Sequence, residues 1–380
     1  MTVQESSEKP TGRNGRAWSR RRFLLGGAAA ALALAAGRRL PASDPPSLPD
    51  GGAAKDMITP EAQQAIDRGL AYLARSQLDE GSWGDRLQYS GNVAVTSLGG
   101  LAFMAGGHQP GRGPYGKIVT KALQYVLSQE NDKPHGFLYH HGGNTHGPMY
   151  SHGFGTLFLA EAHGMVADRE LRRRVRETLG RAVKVILNSQ NEEGGWRYQP
   201  YKDQADISVT ICQIMALRAA RNVGVEVPKS TVDNCVKYVH ACQAPDSGGF
   251  RYFKQGGPAG FARSAAGVAA LYSAGEYDSP QVKSGLRYLM QYKPAGQVLF
   301  RRDYDIHYYY GHYYAAQAMW TAGGRYWADW FPAIRNELVA RARLRGDGAW
   351  NDPTVGSDYA TAMACIILQI PNNYLPIMQK

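Results

Sequence analysis

Asp206 opens the apolar run DISVTICQIMAL, and Thr210 follows it one helical turn later. Groups four residues apart share one face of a helix. An acid at that position can accept from the first backbone N–H groups as a cap, or face a cavity where a proton is moved. Both readings stay open for Asp206. The stretch DYDIHYYYGHYY sets Asp303, Asp305, His307 and His312 within ten residues, and carboxylates with imidazoles are the usual acid–base groups. Tyr309, Tyr313 and Trp320 then fall on one helical face. Such a stripe is either core, or a set of rings able to stabilise a cation or stack on a sugar or an isoprenoid. His140, His141, His146 and His152 crowd into thirteen residues. Clustered imidazoles can hold zinc or iron, but neither HxxxH nor HExxH spacing occurs. No metal or other cofactor is assigned, and a polar loop is the favoured reading.

The elements that must position these groups repeat along the chain, and such a repeat outranks any single motif. Four segments share an amphipathic helix ending in Gln, a polar turn, then Gly and an aromatic: GLAYLARSQLDEGSWG, KALQYVLSQENDKPHGF, RAVKVILNSQNEEGGWRY and NCVKYVHACQAPDSGGFRY. Two weaker copies begin at Ser284 and Leu338. The closing residues Trp83, Phe137, Trp196, Phe250, Phe300 and Trp350 are spaced by 54, 59, 54, 50 and 50 residues. After each comes a second helix, small and apolar with few charges, such as NVAVTSLGGLAFMA or ARSAAGVAALYSA. A helix with one charged face lies at the surface, and one without a polar stripe is buried all round. Strand signals are nearly absent. The pattern predicts an all-α chain of six helical hairpins, six helices outside and six inside, closed into a ring around a central cavity. The Gln and the aromatic read as staples between neighbouring hairpins, bonding exposed backbone and packing.

Setting Thr96, Thr156 and Thr210 level brings Asn92, His152 and Asp206 level too. Arg263 falls near the same height in the fourth repeat, residues 307–312 in the fifth and Asp358 in the sixth. Asn92, Asp206 and Asp358 are favoured capping types, whereas His152 and Arg263 suit a helix N-terminus poorly. An Arg263–Asp206 ion pair is expected between adjacent repeats. The candidate catalytic residues are therefore Asp206, His152, Asp305, His307 and His312. The candidate ligand-binding residues are Asn92, Arg263, Tyr309, Tyr313, Trp320 and Asp358.

The repeated helix–Gln–turn–Gly–Gly–aromatic unit, closest in QNEEGGW and QAPDSGGF, resembles the repeat of squalene and hopene cyclases and of protein prenyltransferase β subunits. The resemblance covers roughly residues 59–380 and implies an α/α toroid, without fixing an activity. In that superfamily, class II cyclases protonate an alkene from a DxDD-Thr-Ala motif on an inner helix. DISVT aligns with it through Thr210: Asp206 matches the first aspartate, while Ser208 and Val209 stand in place of the later two. DYDIH keeps two aspartates without the fourth or the Thr-Ala. The prenyltransferase zinc pattern has its nearest match in Asp233-Asn-Cys235 with His240, but on an outer helix. The Cys-Gly-Glu-Gln thioester of another toroid family does not occur.

Residues 1–42 combine SRRRFLL, the apolar run GGAAAALALAA and a small-residue region, the form of a twin-arginine export signal; residues 43–58 form a Pro/Gly-rich linker before the toroid at 59–380. The apolar run is shorter than the roughly 20 residues a membrane-spanning helix needs. A periplasmic or membrane-associated location follows, with peripheral membrane association among the expected partners. Of the formal net charge of +11, the leader holds +6 (eight Lys/Arg, two Glu), leaving +5 spread along the rest. No basic stripe interleaved with aromatics appears, so no nucleic-acid partner is expected. Cys235 and Cys242 lie seven apart in one helix, about 10 Å by helical rise, too far for a disulfide. Cys212 and Cys365 read as small core residues. The leading function is a toroid acting on an isoprenoid or other lipid-like molecule in an apolar barrel, with two alternatives: a polysaccharide lyase or hydrolase using Asp206 and Asp305, and a non-catalytic binding scaffold. An apolar floor favours the first, a polar groove the second, and a centre filled by side chains the third.

Overall fold

A computed structural model describes residues 56–142, 147–295, 307–343 and 346–379, all within one compact unit. Twelve α-helices alternate along these residues between an outer and an inner set. The outer helices are α1 (Pro60–Ser76), α3 (Gly116–Ser128), α5 (Arg169–Ser189), α7 (Lys229–Cys242), α9 (Pro280–Met290) and α11 (Gly324–Arg343). The inner helices are α2 (Val93–Ala105), α4 (Pro148–His163), α6 (Ile207–Asn222), α8 (Phe261–Ser273), α10 (Tyr308–Ala322) and α12 (Ser357–Gln369). Each inner helix packs against the next, and α12 packs against α2, closing the ring. The predicted six-hairpin α/α toroid is the observed fold. No described helix is long and apolar enough to cross a membrane.

Local sequence accounts for the two classes of helix. In α1, Thr59 accepts from Ala62 N, Pro60 takes the first turn, and Ala62, Ile66, Leu70 and Leu73 form the single buried face. In α5, Asp168 accepts from Leu171 N, and the basic residues lie opposite Val175, Leu179, Ala182 and Ile186. The inner helices have no polar face, and nearly every residue of α6 and α12 is buried.

The conserved grammar of the repeats is one set of hydrogen bonds used several times. Gln77 donates to the Gly81 and Ile118 carbonyls at 3.0 Å each. Gln190 does the same to Gly194 (2.8 Å) and Thr231 (2.9 Å), and Gln243 to Gly248 (2.8 Å) and Gln281 (2.9 Å). Each amide thus ties its own turn to the first residues of the next outer helix, as the staple reading expects. The indoles of Trp83, Trp196 and Trp350 donate to Leu73, Ile186 and Leu338 carbonyls at 2.7–2.9 Å. Their backbone N–H groups donate to Thr96, Thr210 and Thr361 at 3.0–3.1 Å, and that of Phe250 to Ser264 at 2.8 Å. Thr210 therefore serves the hairpin rather than a reaction. The second repeat departs from the pattern: β1 (Glu130–Asp132) and β2 (His135–Leu138) form an antiparallel hairpin. There the Glu130 carboxylate takes over the staple, accepting from Thr178 and Arg181 of α5.

The seam between the sixth and first repeats uses acids. Asp85 accepts from the N–H groups of Ser357 (2.9 Å) and Asp358 (3.2 Å), capping α12 from another repeat. Asp358 in turn accepts from Ser76 Oγ (2.8 Å) and Gly84 N (3.0 Å). Gly356 has φ +115°, and a Cβ there would sit 2.2 Å from Asp85 Oδ1, so this approach requires glycine.

The axis of the ring is occupied by side chains. Phe154 of α4 and Tyr313 of α10, on opposite sides of the ring, meet edge-to-face with centroids 6.1 Å apart. Tyr310 donates to the Ser208 carbonyl at 2.8 Å, and Tyr314 OH lies 3.2 Å from Cys212 Sγ, both reaching from α10 to α6. The expected apolar barrel is thus packed where an isoprenoid would have lain. At the C-terminal end of the inner helices, residues 375–379 cross the ring: Ile377 N donates to Glu161 Oε2 (3.1 Å), and Trp320 Nε1 and Arg218 donate to the Met378 and Gln379 carbonyls (2.9 and 2.8 Å). A cavity of about 20 Å³ remains beside them, lined by Met215, Arg218, Gln317 and Thr321 among others, room for one water molecule.

Candidate functional site

Asp206 is both the cap and the buried acid that the sequence left open. Its Oδ1 accepts from Ser208 N and Val209 N at 2.9 Å each, satisfying the first turn of α6. Its own N–H donates to the Trp196 carbonyl at 3.0 Å, fixing the residue under the third repeat's turn. The carboxyl is fully buried, yet among the described residues Oδ2 has no hydrogen-bond partner. A buried acceptor left unpaired is costly, and burial raises the carboxyl pKa to about 6. The Val209 and Ser208 N–H groups, the nearby Arg197 charge and the Tyr252 hydroxyl act in the opposite sense. Tyr252 is near enough to influence Oδ2 without reaching ordinary hydrogen-bond geometry.

Four half-buried tyrosines surround this acid. Ile207 N donates to the Tyr252 carbonyl at 3.1 Å, docking the fourth repeat's turn against α6. The Tyr252 and Tyr198 hydroxyls are 2.5 Å apart. Tyr150 packs on Tyr198 at 6.2 Å between centroids, and both Tyr150 and Tyr310 are held protonated by burial and by the Asp206 charge. Arg197 lies with its guanidinium 5.0 Å from the Tyr198 ring and 5.2 Å from the Phe253 ring. Arg197, Tyr198, Tyr252, Tyr150 and Tyr310 are not among the residues singled out by type and spacing in the sequence. A signal for two of them existed: Arg-Tyr follows the closing aromatic in both GGWRY and GGFRY, placing Tyr198 and Tyr252 at equivalent heights.

Most other candidates lie elsewhere. His152 is not level with Asp206: its Nδ1 accepts from Leu138 N at 3.1 Å, and its Nε2 donates to the Ala182 carbonyl at 3.0 Å. It fills the place that Thr96 and Thr210 hold in their repeats, one turn deeper than the alignment through Thr156 put it. Burial lowers its pKa to about 4, and it is a neutral structural staple. Arg263 donates to the Pro258 carbonyl at 2.9 Å, and among the described residues no ion pair joins it to Asp206. The expected pair is replaced by the longer-range influence of Arg197. His312 points outward from α10, against the rings of Tyr308 (4.4 Å), Phe261 (4.8 Å) and Trp330 (5.9 Å), with its pKa pushed well down by burial. His307 is exposed at the head of α10 with φ +65°.

Asn92 caps α2 through Ala94 N and Val95 N (2.9 and 3.1 Å), and Asp358 belongs to the ring seam. The aromatic stripe divides. Tyr313 sits on the axis, Tyr309 packs near Tyr359 at 6.5 Å, and Trp320 is at the far end against Trp327 at 4.9 Å. Asp305 and His146 lie outside the described residues. His140 and His141 bond the side chains of Gln129 (2.9 Å) and Asn131 (2.5 Å), so the histidine-rich stretch is dispersed among separate partners. Cys235 and Cys242 share α7 as expected, and all four thiols are buried and free.

The twelve described helices form an α/α toroid, and solved α/α toroids resemble it in fold. The chain is similar to cellobiose 2-epimerase from Bacillus thermoamylovorans (TM-score 0.60, 12% identity, 81% of this chain and 98% of that one). It is also similar to the GH76A alpha-1,6-mannanase of Salegentibacter sp. bound to alpha-1,6-mannotriose (TM-score 0.57, 9% identity, 82% and 98%). A third neighbour is the type II terpene cyclase MstE from Scytonema (TM-score 0.56, 16% identity, 83% and 99%). At these identities the likeness is one of fold. No family model matches the sequence, and no curated protein is similar to it in sequence.

Proposed function

We propose that the chain binds a carbohydrate-type ligand at the rim formed by the N-terminal ends of its inner helices, with Asp206 as the acid–base group facing it. The observation that carries this reading is the buried, unpartnered Oδ2 of Asp206 beneath the hydroxyls of Tyr198 and Tyr252. A ligand hydroxyl donating to Oδ2 would satisfy a buried carboxyl oxygen that has no hydrogen-bond partner among the described residues, and tyrosine rings offer flat apolar faces for a sugar. A carboxyl with a pKa near 6 can also give or take a proton close to neutrality. The packed axis speaks against cyclisation of an isoprenoid inside the ring, as does Ser208 at the motif's donor position; it fits a non-catalytic binding scaffold as well, whose ligand would take the same rim. Two of the structural neighbours act on sugars by name, which supports the same reading. The leader residues 1–42 place the protein outside the cytoplasm in this proposal, and replacing Arg20, Arg21 and Arg22 by Lys should retain it in the cytoplasmic fraction.

Calorimetry of the whole protein against neutral oligosaccharides and against detergent-dispersed isoprenoids tests the binding site. Sugar binding that weakens at least about tenfold in Asp206→Asn, where a charge-assisted hydrogen bond is lost, is the expected result. Isoprenoid binding without any sugar binding would overturn the proposal.

A further inference from the structure

Building on the rim site proposed above, we infer that its ligand is an acidic sugar whose carboxylate is received by Arg197. Arg197 is half-buried and its guanidinium is held between two rings, Tyr198 at 5.0 Å and Phe253 at 5.2 Å. Stacked in this way, the planar fork gives up little further freedom on pairing with a carboxylate. Yet NH1 donates to Gln204 Oε1 at a long 3.3 Å, its one hydrogen bond among the described residues. The neighbouring cation Lys254 is already paired with Glu193, and Arg263 is turned to the Pro258 carbonyl. Arg197 is thus the guanidinium beside Asp206 that retains donors for a ligand, and it forms no ion pair with Asp206.

A buried acceptor without a hydrogen-bond partner and a guanidinium without an ion pair among the described residues are therefore within electrostatic reach of each other beneath the tyrosine-lined rim. The first is Asp206 Oδ2, and the second the clamped donor fork of Arg197. A molecule that satisfies both offers a hydroxyl to the first and a planar anion to the second, and must have a face that stacks on tyrosine. A hexuronate ring carries all three features, whereas a neutral hexose leaves the guanidinium without its partner.

The test compares trigalacturonate with the same trisaccharide after its carboxyls are reduced to hydroxymethyl groups, by calorimetry on the whole protein at low salt. The acid form should bind at least about tenfold tighter, the effect of one charge-assisted pair. In Arg197→Met, whose side chain can still pack between the two rings, the ratio of the two affinities should fall to about one. A melting curve of the variant shows whether it remains folded, and the comparison of two ligands on the unmodified protein stands without it. Equal binding of the two trisaccharides, or tighter binding of the reduced one, overturns the assignment of Arg197 and leaves the rim site standing. Failure of both to bind overturns the rim site together with it.

Discussion

Asp206 carries two duties that different substitutions separate. Asn keeps an acceptor for Ser208 N and Val209 N but has no charge to bury, whereas Ala removes the cap. The folded pKa of about 6 lies above the ordinary aspartate value of 3.8. The contribution of this group to stability is therefore fully present below about pH 4 and is lost as pH rises through about 6. The displacement corresponds to about 3 kcal/mol at neutral pH. Urea unfolding at pH 7 should accordingly find Asp206→Asn more stable than the unmodified protein, and Asp206→Ala about 1 kcal/mol less stable than Asp206→Asn. An Asp206→Asn protein that is less stable at pH 7 would mean that the carboxylate is satisfied and not strained. The sequence made Asp206 visible as a helix head, but the choice between cap and buried acid depended on whether Oδ2 found a partner. Groups brought near it by turns of other repeats, such as Tyr252, are not adjacent in sequence and leave no spacing to read.

At the scale of the elements, the outer helices were legible and the inner ones only partly so. Outer helices have a charged face that fixes their rotation about their own axis. The inner helices are buried all round, so their apolar pattern has no phase, and nothing in HYYYGHYY tells which rings face the centre. Tyr308 and His312 turn out toward α11, while Tyr310, Tyr313 and Tyr314 reach α6 or α4. The misplacement of His152 has the same origin, because two threonine-like positions one turn apart were equally good anchors. The staples, in contrast, are local and were legible from the Gln and the aromatic. Gln190→Ala leaves the Gly194 and Thr231 carbonyls unpaired, and chemical denaturation should show a loss of about 1–3 kcal/mol. Among the described residues the Gln129 side chain donates only to Ser128 Oγ of its own helix and meets His140, while Glu130 does the stapling there. Gln129→Ala should cost less than about 0.5 kcal/mol, and equal losses at the two positions would show that the Gln acts by packing instead.

The whole molecule sets groups with opposite pH demands at different depths of the same ring. Glu161 of α4 is fully enclosed and holds residues 375–379 through Ile377 N, and burial raises its pKa to about 8 from the ordinary glutamate value of 4.5, against the pull of that N–H and of Arg218. Its contribution is complete below about pH 4.5 and is lost as pH rises through about 8, in the same sense as that of Asp206 but over a higher window. His152 behaves oppositely: its pKa is lowered to about 4 from 6.5, so it stabilises the fold above about pH 6.5 and loses that contribution as pH falls through about 4. Between pH 6 and 8 Asp206 is largely titrated and His152 fully neutral, so the fall in stability over this interval belongs mainly to Glu161. Two pH units of such a shift correspond to about 3 kcal/mol. Glu161→Gln retains an acceptor for Ile377 N and cannot ionise, and its unfolding free energy should stay nearly level from pH 6 to 8 while that of the unmodified protein declines. The same decline in both proteins would place the cost on another group and would free Glu161 to be ionised where it lies.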